Sequence, residues 1–142
     1  MIVTFVDAGV LIAAAHGNSA VSYCATSLLG DAERAFASSI FVQLEVIPKA
    51  IFNRRNVESE AYRTFFAAVR HWANPAEICP LALEVASESG LSALDALHVP
   101  AAVVAKADEF VTTELPSKPL YRTRRVKVVS LSDIPISRKP LS

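Results

Sequence analysis

Residues 2–6, Ile-Val-Thr-Phe-Val, form an almost unbroken apolar, β-branched run that stops abruptly at Asp7. A run without polar alternation suits a central parallel strand covered on both faces. A carboxylate directly behind such a strand needs a partner or a ligand, because a buried charge left alone is costly. The chain must therefore supply further strands and helices on both sides of this one.

It does so in alternation. Residues 8–15 (AGVLIAAA) read as a helix, with Gly17 placed to stop it. Ser19 can cap a second helix in which Val21, Cys24, Leu28 and Leu29 fall at helical spacing and Gly30 closes. Residues 35–39 read as a short strand. Phe41, Leu44, Glu45 and Pro48 then lie on a helix-like stretch, kinked or restarted at the proline. The clearest amphipathic pattern spans 57–72, where Tyr62, Phe65, Phe66, Val69 and Trp72 recur at helical spacing, and Asn74-Pro75 reads as a breaker. Further helices are expected over 80–89, ended by Gly90, and over 92–107. In the latter Ser92 is the N-cap, Asp95 takes the capping-box position and Pro100 conflicts with the helix. Residues 110–113 and 126–131 read as two more buried strands. This order predicts a three-layer α/β/α sandwich with a central parallel sheet. The expected organisation is a single domain over residues 1–132 and a loose C-terminal tail over 133–142, marked by Pro135 and Pro140.

With 142 residues, 52% hydrophobic and 20% charged, the chain has material for one core and too little charge for a disordered one. The apolar surplus also points to a covered sheet or a buried oligomer surface. No apolar run approaches the ~20 residues of a membrane span. Glu45, Lys49, His98 and Pro100 interrupt the nearest candidates, and no basic leader precedes the first strand. The expectation is a soluble, cytoplasmic protein with no membrane contact. Cys24 and Cys79 lack metal-ligand spacing and read as buried free thiols, so zinc is not supported.

Fourteen Lys/Arg balance fourteen Asp/Glu, but unevenly. Residues 1–114 carry seven Lys/Arg against thirteen Asp/Glu; residues 115–142 carry seven against Asp133 alone. A basic end on an acidic body can steer a phosphate backbone, or simply keep an edge strand solvated.

In open parallel sheets, ligands bind beyond the carboxyl ends of the strands. Asp7 and Glu114 follow strands directly, while Glu45 and Asp95 sit near helix starts that can face the same edge. Carboxylates gathered there repel one another and raise their own pKa values. A hard cation on oxygen ligands, Mg²⁺ or Mn²⁺, relieves that repulsion and can activate water for phosphodiester hydrolysis. Taken singly, Asp95 can be a capping acid, Glu45 a solvated helix residue and Glu114 a turn residue. Asp7 is the hardest to dismiss.

The blocks FVDAGVLIAAA (5–15), SSIFVQLEVIPKA (38–50), LSALDALHVPAAV (91–103) and FVTTE (110–114) resemble the PIN-domain family, the nuclease fold of VapC-like toxins and RNA-processing enzymes. The resemblance implies that Asp7, Glu45, Asp95 and Glu114 form the family's acidic quartet. They would hold one or two Mg²⁺ or Mn²⁺ ions for an endoribonuclease. It also implies Thr112 or Thr113 as a supporting or phosphate-contacting hydroxyl, an antitoxin protein as partner and a homodimer. Three features depart from the family pattern. Ala8 and Gly9 follow the first Asp where small polar residues are common, residue 114 is Glu rather than Asp, and Pro100 interrupts the helix of Asp95.

His98, one turn after Asp95, can contact phosphate or water, or be a structural helix residue. Lys118, Arg122, Arg124 and Arg125 follow Glu114 and are candidates for RNA contact. A catalytically degenerate domain that binds RNA or protein without cutting is the alternative function. A receiver-like phosphate acceptor fits poorly, because Asp7 stands alone after the first strand.

Overall fold

A computed structural model describes residues 1–135 of the chain. Strand β1 (Ile2–Val6) lies at the centre of a five-stranded parallel sheet with β2 (Arg34–Ser38), β3 (His71–Trp72), β4 (Glu109–Thr112) and β5 (Val128–Ser130). The order is β3-β2-β1-β4-β5, every neighbouring pair being parallel. The apolar run therefore sits where the sequence demands, with Phe5 and Val6 fully buried between Ala37 and the equally buried Phe110 and Val111. Phe5 stacks on Phe110 with ring centroids 5.1 Å apart.

Helices α1 (Ala8–Ala15) and α2 (Ala20–Leu29) link β1 to β2, and α3 (Ile40–Phe52) and α4 (Asn56–Ala68) link β2 to β3. The chain then returns across the sheet through α5 (Pro75–Ser89) and α6 (Ala93–Val104) to β4. Right-handed crossovers place α1–α4 on one face and α5–α6 on the other. The result is the three-layer α/β/α sandwich. Strand order reverses beside β1, so the crevice at the carboxyl ends of β1 and β4 is the topological switch point.

Several local expectations change. The 57–72 helix ends at Ala68, and His71–Trp72 is a strand instead. Val69 is extended, and Arg70 N and Ala73 N donate to Phe36 O and Ser38 O, so the open edge of β2 captures this segment. Trp72 is 45% exposed and packs only its ring against Phe66, at 5.9 Å. Asn74-Pro75 starts a helix rather than breaking the chain. The Asn74 side chain accepts from Ala76 N at 3.0 Å and Pro75 occupies the first turn, where its missing N–H costs nothing. α5 consequently begins before residue 80, and Pro80 lies inside it. Helices α3 and α6 run through Pro48 and Pro100 without restarting. Buried Val99, Ala101 and Ala102 hold α6 around its proline. Cys24 and Cys79 are both free, but neither is buried: Cys24 is half-buried and Cys79 is exposed on α5.

Leu131–Asp133 forms a 3-10 turn after β5, and Ile134 packs against the core. Residues 136–142, with Arg138, Lys139 and Pro140, lie outside the described residues. No helix among the described residues is long and apolar enough to cross a membrane.

Candidate metal centre

Asp7 leaves β1 in extended conformation and caps α1, its Oδ1 accepting from Ala8 N at 2.8 Å. Its other oxygen accepts from the Thr112 hydroxyl at 3.0 Å, and its backbone N donates to Val111 O. Two strand ends and a helix N-terminus thus fix one carboxylate that is 8% exposed. Thr112 Oγ1 also accepts from Glu114 N at 3.0 Å, which sets the backbone carrying the last acid.

Glu45 arrives from α3 on one face of the sheet and His98 from α6 on the other. They meet above the strand ends, where His98 Nε2 contacts Glu45 Oε1. His98 is 1% exposed and its Nδ1 is buried without a hydrogen-bond partner among the described residues. One ligand atom each from Asp7, Glu45 and His98 lies within 4.8 Å of the others. Ligands held at roughly 2.0–2.5 Å from one ion spread over a similar distance, so this donor set fits a divalent cation.

Asp95 stands in the first turn of α6, partly buried. Ser92 makes no side-chain hydrogen bond to the first-turn amides, so the expected capping box does not form. Burial pushes the Asp95 carboxyl above the usual carboxylate range; His98 opposes this, Glu114 adds to it, the Ser92 hydroxyl lowers it and Glu45 raises it. Asp7 is pushed up in the same way. Burial acts first, opposed by His98 and the Thr112 hydrogen bond and assisted by Asp95 and Glu45. Asp95 is therefore electrostatically coupled to Asp7, Glu45 and Glu114 together. Glu114 is half-exposed after β4 and acts on Asp95. Carboxylates that desolvation and mutual repulsion make hard to ionise are stabilised as anions by a bound cation.

Thr113 is exposed, and its hydroxyl occupies the space where a Cβ on Gly9 would stand. The bare Gly9 is thus matched by a hydroxyl donated from the opposite strand end. Lys118, Arg122 and Arg124 are exposed beyond β4. Arg125 is different: it is paired with Glu84 and Glu88 of α5, which raise its already high pKa.

The structure adds one cluster that sequence reading passed over. The carboxylate of Glu58, 9% exposed on α4, contacts His16 at the end of α1 and lies 3.6 Å from Arg55. Burial, together with Glu58, pushes the Tyr62 hydroxyl up to about 12. The Arg55/Glu58 spacing of one turn was the available signal. A cleft of about 120 Å³ joins this cluster to Glu45.

The same architecture recurs in solved structures. The VapBC2 complex of Rickettsia felis, bound to a DNA fragment from its promoter, matches with a TM-score of 0.70 at 15% identity, over 91% of this chain and 98% of that one. A toxin–antitoxin complex from Klebsiella pneumoniae matches at 0.68 and 19% identity, over 92% and 99%. The chain has a PIN-like fold. PAE2754 from Pyrobaculum aerophilum shares it at 0.60 and 18% identity, over 92% of each chain. No protein-family profile matches the chain, and no curated protein does. In this PIN-like fold the acids stand at the switch point that parallel sheets use for ligands.

Proposed function

We propose that this chain is a metal-dependent endoribonuclease, the toxin half of a toxin–antitoxin pair acting in the cytoplasm. The observation that carries the proposal is the meeting of Asp7, Glu45 and His98 within 4.8 Å, with Asp95 coupled to all of them. Asp7 and Glu45 would hold Mg²⁺ or Mn²⁺, joined by Asp95 and Glu114, which lie outside the 4.8 Å cluster. When bound, such an ion polarises a phosphoryl oxygen and lowers the pKa of water. The chain's own residues do the rest. Thr112 orients Asp7, His98 holds Glu45 against the strand ends, and the Thr113 hydroxyl sits at the mouth as a phosphate donor. Lys118, Arg122 and Arg124 are free to meet a phosphate backbone, whereas Arg125 is neutralised by its two glutamates.

An antitoxin and a second copy of the chain are the proposed protein partners. The likeness to toxin–antitoxin complexes supports the first. Exposed Ile40, Leu44, Ile51 and Phe52 along α3 support a protein interface of either kind.

The test is cleavage of single-stranded RNA with Mn²⁺ or Mg²⁺, comparing wild type with Asp7→Asn and Asp95→Asn. The proposal expects metal-dependent cleavage that both substitutions abolish. A second reading, a degenerate domain that binds RNA or protein without cutting, is favoured by one observation: His98 already supplies Glu45 with an internal partner. RNA binding without cleavage under any metal would select it.

A further inference from the structure

A second cleft shares no lining residue with the one beside the Glu58 cluster, and Glu114 belongs to its wall. It lies between α2, the loop after β4 and the turn after β5, and has a volume of about 350 Å³. That size is within the roughly 300–1,000 Å³ of small-molecule clefts. Its faces are apolar: Val21 and Leu115, 50% and 66% exposed, stand with Cys24 and Pro116. Its polar groups are mostly acceptors. The carboxylates of Glu114 and Asp133 line it, with the hydroxyls of Ser130 and Ser132 bonded to each other at 2.8 Å. Among the described residues, no lysine, arginine or histidine lines it.

Apolar walls with carboxylate acceptors, and no cation among the described residues, do not suit a phosphate. They suit a flat heterocycle whose edge carries N–H donors. We propose that this cleft receives the nucleobase next to the scissile phosphate, and that Asp133 selects a base with an amino edge, guanine above all. Guanine presents N1–H and N2–H₂ side by side to one carboxylate, whereas uracil offers one donor between two acceptors. The proposal rests on the nuclease reading, because Glu114 makes the cleft continuous with the acidic site. It goes further by naming the base.

The experiment uses the full chain with Mn²⁺ and short 2′-O-methyl oligonucleotides that differ at one position (G, inosine, A, C or U), with binding read by fluorescence anisotropy. Wild type should bind the G oligonucleotide ~5- to 100-fold more tightly than the inosine or U ones, the span expected of a bidentate base contact. Asp133→Asn should remove that preference while leaving U binding unchanged. Leu115→Arg, at an exposed wall position, should weaken all bases. Equal affinity for all bases, or a preference that Asp133→Asn leaves intact, overturns the proposal. So does unchanged binding of every base in Leu115→Arg. Cleavage of matched ribo-oligonucleotides is scored separately. Base preference without cleavage sinks the nuclease alone, and cleavage without base preference sinks the pocket alone.

Discussion

The Thr112 hydroxyl donates to Asp7 Oδ2 at 3.0 Å, tying the end of β4 to the end of β1 across the switch point. Thr112 is fully buried, so no water can take over the bond. Thr112→Val keeps the shape and removes the donor. A buried hydrogen bond to a charged group contributes roughly 1.5–3 kcal/mol, and a partner that orients a metal ligand typically matters 10- to 100-fold in affinity. Thr112→Val should lower stability by about that amount and weaken Mn²⁺ binding at least tenfold. Thr112→Ser should retain both. A Mn²⁺ titration followed by thermal melting reads both quantities, and a valine variant with wild-type affinity would refute the role.

Metal-free stability should fall with rising pH because of the acids themselves. Burial raises Asp7 and Asp95 above the unfolded value of 3.8, so the folded state holds their protons more tightly than the unfolded state. That stabilisation is complete below the unfolded pKa and is lost as pH rises through the raised folded values. In chelator, Asp7→Asn should therefore be more stable than wild type at pH 7.5, by about 0.5–2 kcal/mol, the usual gain on relaxing a functional site. The two proteins should converge near pH 4. Asparagine still caps a helix, so α1 is not at risk. Urea melts at both pH values check this, and a destabilised variant at pH 7.5 would contradict it.

The same protons must leave before a cation can bind. The thermal shift produced by saturating Mn²⁺ should grow as pH rises above the ordinary carboxylate range in wild type, and this growth should shrink in Asp95→Asn. A shift independent of pH would mean that the ion binds elsewhere.

Gly9 is open to a side chain at the expense of Thr113 alone. Thr113 is exposed and can rotate, so Gly9→Ala combined with Thr113→Ala should gain up to ~1 kcal/mol from helix propensity. A loss in denaturant melts would show that Gly9 serves the backbone rather than the hydroxyl.

The basic residues after Glu114 should separate by their partners. Lys118→Ala and Arg124→Ala should each weaken RNA binding and reduce the salt dependence by about one counterion. Arg125→Ala should do neither, because Glu84 and Glu88 already occupy its guanidinium. Binding measured across a salt series decides between them.

The fold was legible where period and punctuation agreed. The β1 run, the Ser19 cap, Gly30 and the left-handed Gly90 all fall at element ends. The signal failed at residues 69–75. There a two-residue strand is made by the neighbouring edge rather than by its own composition, and Asn-Pro can end one element or begin another. At the site, the positions of Asp7 and Asp95 followed from strand and helix ends. His98 and Glu58 were harder, because one turn of spacing shows which residues share a helix face but not what that face meets. His98 turns inward to Glu45 across the top of the sheet, a contact between elements 53 residues apart.

That arrangement has a consequence for synthesis. Asp7 comes from the first strand, Glu45 from one helical layer, and Asp95 and His98 from the other, which forms only after the chain has recrossed the sheet. A nascent chain that has folded only as far as β3 carries two of the acids and lacks the layer that would close over them. On the proposed nuclease reading, the acidic site would stay incomplete on the ribosome until nearly all of the domain has emerged.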